Sequence, residues 1–156
     1  MSGPAGIERV ISIVTEPDLP QLLPLMRAYR DFYGARTADD DLLALSHALI
    51  EDPERDGVQL IARGGDGAAI GFATVFWTWS TLRAARIGVM NDLFVAPDAR
   101  GTGVAEQLID ACLEQCRHRG VCSLGWQTAR DNKRAQALYE RVGARREDWV
   151  DYVLDV

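Results

Sequence analysis

"NDLFVAPDARGTGVAEQLID" (residues 91–110) is the stretch that decides the fold. Leu93-Phe94-Val95 is an apolar, strand-forming run, and Pro97 ends it. Arg100, Gly101 and Gly103 follow, and from Val104 onward apolar residues recur at helical spacing. A glycine-rich turn between a strand and a helix is either a tight connection or a cradle for an anion. Amides at a helix N-terminus have no intrahelical partner, and the macrodipole favours negative charge there. Glycines let the backbone come close to a phosphate, and Arg100 adds a permanent cation. The spacing is not the nucleotide P-loop, because no Lys-Ser/Thr pair follows. Nor is it the GxGxxG that follows a first Rossmann strand.

Working outward, "IERVISIV" (7–14) predicts a first strand. Pro17 or Pro20 then starts a helix whose apolar set is Leu22, Leu23, Leu25, Met26, Tyr29, Phe32 and Tyr33. A second helix covers 38–51, with Asp39 to Asp41 as its acidic first turn. "VQLIAR" (58–63) and "AAIGFATVFWTW" (68–79) flank "GGDG" as a hairpin, and 85–95 is another strand. Residues 103–119 form a helix burying Val104, Leu108, Ile109, Cys112 and Cys116. A strand over 122–128, a short helix over 132–142 and a strand over 148–156 complete the chain. This alternation predicts one mixed α/β domain spanning 1–156.

The 156 residues, 47% of them hydrophobic, suffice for one domain with its own core. No apolar run nears the roughly 20 residues that cross a membrane. The N-terminus lacks the basic and apolar regions of a signal peptide, so the expectation is a cytoplasmic protein with no membrane partner. A net charge of -6 argues against nucleic acid and suits a cationic small molecule. Cys112, Cys116 and Cys122 share no metal-ligand spacing with His47 or His118, so no metal is expected and core packing is the reading of all three.

Two motifs together resemble the GCN5-related N-acetyltransferase (GNAT) family. Arg100-x-x-Gly103-x-Ala105 fits its acetyl-CoA signature. "DNKRAQALYERVGA" (131–144) is similar to its second motif, with Asn132, Ala135, Tyr139 and Gly143 in place. The nearest branch by motif is that of the diamine and thialysine acetyltransferases and the yeast histone-polyamine acetyltransferases. The resemblance implies a splayed mixed sheet of six to seven strands flanked by about four helices. Acetyl-CoA would lie between the strands at 85–95 and 122–127. Gly101, Thr102, Gly103, Val104 and Ala105, with Arg100, would hold its pyrophosphate. Leu93, Phe94 and Val95 would pair with the pantetheine arm like an added strand. Asn132 would hydrogen-bond the arm, and Tyr139 would sit near the thioester sulfur. Tyr139 also reads as a core aromatic on an amphipathic helix. Family members are often dimers, so a homodimer is implied; the 144–156 strand could be its pairing element or an ordinary edge strand.

The implied reaction is direct acetyl transfer to a primary amine. An amine of pKa about 10.4 is neutral in only about one molecule in 2,500 at pH 7, a deficit near 4.6 kcal/mol. A carboxylate can take that proton, directly or through water. Where the diamine enzymes carry Glu-Asp, this chain carries Asn91-Asp92. Asn91 cannot accept a proton, so Asp92 is the candidate for holding the amine or receiving its proton; a strand-edge acid satisfied by backbone donors is the alternative. Tyr139 can stabilise the departing thiolate. "FWTWSTL" (76–82) resembles the acceptor segment of the same branch, which makes Trp77, Trp79, Ser80 and Thr81 candidate pocket residues. Sheet packing is an equal reading for the two tryptophans. Asp31 and Tyr33 would complete the pocket. The expected acceptor is a small molecule: a polyamine, a lysine analogue or an amino acid. Protein lysine or N-terminal acetylation and a non-catalytic acyl-CoA sensor are the rival readings.

Overall fold

A computed structural model describes residues 9–156. The chain forms two compact units, 1–126 and 127–156. The first holds a five-stranded sheet in the order β1 (Val10–Ile13), β2 (Gly57–Arg63), β3 (Ala69–Ser80), β4 (Ala85–Val95), β5 (Leu124–Gly125). The first three neighbouring pairs are antiparallel, and β5 joins β4 in parallel. Of the first predicted strand, residues 7 and 8 lie outside the described residues.

Helices α1 (Leu19–Phe32) and α2 (Asp39–Glu51) cover one face of the sheet. A short 3-10 turn, Glu16–Asp18, leads into α1, and the Asp18 carboxylate accepts the Thr15 amide at 2.8 Å. Leu19, Leu22, Leu25 and Met26 recur at helical spacing and are buried with Ile61, Phe72 and Phe94. Phe32 and Tyr33, at the end of the same pattern, are exposed instead. Helix α3 (Val104–Arg119) packs on the opposite face, burying the five residues expected of it. The two faces separate cleanly at neighbouring residues: a Cβ on Gly71 would meet Leu108 and Val104 of α3, while Phe72 packs with α1. Among the described residues, no helix is long and apolar enough to cross a membrane.

The second unit holds α4 (Lys133–Arg141). The Asn132 carbonyl accepts the Ala135 amide at 3.2 Å and so caps this helix. Gly143, at φ 88°, ends it.

The mixed α/β class is as expected, with four helices, but the strands number five among the described residues rather than six to seven. The stretch 122–128 is a strand only at Leu124 and Gly125, and 148–156 forms no strand. The pattern of 148–156 is mixed, and a strand exists only where another backbone pairs with it. Cys112 and Cys116 are buried as expected, and burial pushes their thiols up to about 12 and about 11. Cys122 is exposed, contrary to the core reading.

Candidate active site

Strand β4 is the frame of the site. It pairs with β3 from Ala85 to Val95, but with β5 only at Gly88 and Val89. Among the described residues no strand pairs with the other edge from Met90 to Val95. That edge runs into a 3-10 turn, Pro97–Ala99, and then into the glycine turn.

The turn has the backbone of an anion cradle. Gly101 and Gly103 stand at φ 75° and 88°, a region that glycine reaches without strain. Gly103 is the N-cap of α3 and no side chain caps the helix. Thr102 instead donates its hydroxyl to the Ala99 carbonyl at 2.5 Å. The Arg100 amide closes the preceding turn on Pro97 at 3.3 Å, so the row of amides without a backbone acceptor among the described residues begins at Gly101. A Cβ on Gly103 would meet only the Arg9 guanidinium, at 3.6 Å. The space beside Gly103 is therefore open among the described residues. Arg100 does not stand over the turn: its Nε donates to the Val95 carbonyl at 3.0 Å and its guanidinium lies 5.7 Å from the Phe94 ring. Val104 is buried and Ala105 half-buried at the start of α3.

Asp92 reaches its position through a β-bulge. Thr74 pairs with Asp92 and Val75 with Met90, which leaves Asn91 as the inserted residue. Without it, Asp92 would share the α3 face with Gly88 and Met90, because alternate residues face alike. With it, Asp92 and Phe94 face α1. The half-buried Asp92 carboxyl receives hydrogen bonds from Thr74, Tyr29 and Asn91. Asn91 Nδ2 donates to it at 2.9 Å. Burial pushes the carboxyl above the usual aspartate range and outweighs these three donors, which pull it down. The Tyr29 hydroxyl also lies 3.4 Å from the Asn91 carbonyl.

Around this centre the other expected residues divide. Tyr33 caps α1 and is exposed, its ring 5.0 Å from that of Tyr29. Asp31 is exposed and paired with Arg30 at 3.0 Å. Trp77 is buried and donates its indole N–H to the Pro53 carbonyl at 2.9 Å, so its packing role is structural. Trp79 is exposed and already carries the Arg86 guanidinium, 5.4 Å from its ring. Ser80 and Thr81 lie at the far turn of the β3–β4 hairpin, where the Ser80 hydroxyl accepts the Arg83 amide. Ser80 stands six residues beyond Thr74 on β3, roughly 20 Å along the strand at about 3.3 Å per residue. The structure does not bring Trp77, Trp79, Ser80 and Thr81 to Asp92 within one chain. In the second unit, Asn132, Ala135 and Tyr139 lie together on α4. The Asn132 carbonyl is committed to the cap, which leaves its Nδ2 as the donor.

Sequence reading missed Tyr29, Thr74 and Gln59. Tyr29 was hidden in an apolar helix face. Thr74 and Gln59 are polar residues flanked by apolar ones in mostly apolar strands, which was a signal, but only the register joins them to Asp92.

Comparison with known proteins identifies the family and the fold. The sequence model of the acetyltransferase (GNAT) family matches residues 22–144. The chain is 34% identical over 140 residues to YhfO, an uncharacterized N-acetyltransferase of Bacillus subtilis, covering 89% of this chain and 92% of that one. It is 36% identical over 76 residues to the D-amino-acid N-acetyltransferase HPA3 of Saccharomyces cerevisiae, covering 49% and 47%. The crystal structure of a probable acetyltransferase superposes with a TM-score of 0.82 at 27% identity, covering 94% of this chain and 97% of that one.

Proposed function

The chain belongs to the GNAT acetyltransferase family, and on that premise we propose that it moves an acetyl group from acetyl-CoA to a primary amine of a small molecule. The observation that carries this is the continuity of β4: its open edge leads straight into a glycine turn whose amides have no backbone acceptor among the described residues. The amides of Gly101 to Ala105 bind the pyrophosphate, and the Leu93–Val95 backbone aligns the pantetheine arm. Asn132 donates to that arm. Bound acetyl-CoA supplies the thioester carbonyl that the amine attacks.

The remaining chemistry falls to side chains. Asp92 has no cationic partner among the described residues, and such a carboxylate attracts an ammonium group. Burial of Asp92 also makes it a stronger proton acceptor than an exposed aspartate. Asp92 thus holds the acceptor amine and takes its proton, directly or through water. Tyr139 donates a hydrogen bond where thiolate charge develops. Residues 1–156 count as a single acetyltransferase domain, and the protein works in the cytoplasm as a homodimer. A polyamine acceptor suits the motif branch, and an amino-acid acceptor suits the activity named for HPA3.

Thiol release with acetyl-CoA, measured across polyamines, amino acids, thialysine and lysine peptides, tests the reading, with calorimetric acetyl-CoA binding beside it. Turnover of one small amine is expected. Preference for a peptide over its free amino acid would turn the reading to protein acetylation. Tight binding without turnover would make the chain an acyl-CoA sensor, and no binding would undo the cradle.

A further inference from the structure

The face of the sheet under α1 is apolar along one cross-strand row and polar along the next. Ile61, Phe72 and Phe94 oppose one another across β2, β3 and β4, and all are buried. Beside them Gln59 opposes Thr74, and Thr74 opposes Asp92. Gln59 is 2% exposed and Thr74 fully buried. Gln59 Nε2 donates to Thr74 Oγ1 at 3.2 Å and lies 3.6 Å from Met26 Sδ. Gln59 Oε1 is buried without a hydrogen-bond partner among the described residues.

A buried carbonyl left unpaired is costly, and leucine or methionine would fill the same space at no such cost. The row explains why glutamine is tolerated. A hydroxyl has one hydrogen to give. Because the Gln59 amide donates to the Thr74 oxygen, the Thr74 hydrogen is free to point the other way, to the Asp92 carboxyl. Hydrogen bonds in such a chain polarise one another in one direction.

We propose that Gln59 and Thr74 are positioning residues for Asp92: the Gln59 amide orients the Thr74 hydroxyl, and that hydroxyl holds the carboxylate ionised and in one orientation for a cationic acceptor. The proposal rests on reading Asp92 as the amine-facing carboxylate. The groups acting on Asp92 are the Thr74 hydroxyl from β3, the Tyr29 hydroxyl from α1 and the Asn91 amide beside it; no charged group acts on it among the described residues. The Cys112 and Cys116 thiols belong to α3, on the other face.

The test is the titration of the Asp92 carboxyl carbon by NMR in the full-length protein with labelled aspartate, its resonance assigned by Asp92→Asn. Thr74→Val keeps the shape and removes the hydroxyl. It should lower the acid dissociation constant of Asp92 about tenfold, the worth of one hydrogen bond to a charge. Thr74→Ser should restore it. Gln59→Leu should lower it about threefold, and should add nothing in a Thr74→Val background. Gln59→Met serves the same purpose if the leucine variant does not fold. In turnover, Thr74→Val should raise KM for the amine and leave KM for acetyl-CoA unchanged. An Asp92 titration that ignores Thr74→Val, or a Gln59 effect that persists without the Thr74 hydroxyl, overturns the proposal. If the titrations shift as stated while Asp92→Asn leaves amine turnover intact, positioning stands and the reading of Asp92 falls.

Discussion

At the residue scale, Asp92 couples stability to function with opposite signs. Its carboxyl is raised by burial, with Thr74, Tyr29 and Asn91 only partly offsetting that. The folded chain therefore keeps the proton to a higher pH than the unfolded chain, where an aspartate loses it near about 3.9. Between those two points the folded state binds more protons, so stability falls as pH rises, and above the folded value the whole cost is present. Asp92→Asn removes this titration. The difference in melting temperature, variant minus wild type, should grow more positive from about pH 3 to about pH 7. The same variant should cut kcat/KM for the amine by about 100-fold, the lower range for a lost proton acceptor. A temperature difference that stays flat with pH would mean that Asp92 is not buried as a charge. Unchanged kcat/KM would leave it a structural acid.

At the element scale, the strand–turn–helix from Asn91 to Asp110 was legible because its three signals are local: an apolar run, glycines at the turn and helical spacing after it. Gly103 tests the turn. Alanine there adopts φ near 88° at a cost of about 1 kcal/mol, which lowers the melting temperature by roughly 2–4 °C in a chain of this size. Among the described residues its methyl meets nothing closer than 3.6 Å, but it occupies the cradle. Gly103→Ala should therefore weaken acetyl-CoA binding at least about tenfold. Gly120→Ala, at φ 73° and in open space at the other end of α3, should show the same loss of stability with binding intact. Equal affinity in both variants would move the phosphate site elsewhere. What the sequence hid was pairing. The bulge at Asn91 reverses which face Asp92 occupies, and no periodicity reveals it, because an inserted residue looks like any other polar one. Conversely, "DWVDYVLDV" is rich in strand-forming residues and forms no strand, since composition does not supply a pairing partner. Trp77 and Trp79 share strand parity, yet one is buried and one exposed, because Trp79 lies near the hairpin's end.

At the scale of the whole molecule, family membership spans both units, as the matched residues 22–144 cross their boundary. Charge is the other global property. The chain has 23 Asp and Glu against 17 Lys and Arg, a net charge of -6. Such a field draws a cationic amine inward and slows a polyanionic cofactor, whose capture must rely on the local cradle. The two substrates should then respond oppositely to salt. Between about 0.01 M and about 0.15 M the Debye length contracts from roughly 30 Å to about 8 Å. Over that range kcat/KM for a small diamine should fall by roughly threefold to tenfold as steering is lost. The value for acetyl-CoA should hold or rise, because screening removes a repulsion. Steady-state rates with each substrate varied at several salt concentrations separate these responses. Parallel decline for both would point to salt acting on the fold rather than on encounter. A flat response for the amine would confine recognition to the neighbourhood of Asp92, with the surface acids serving hydration alone.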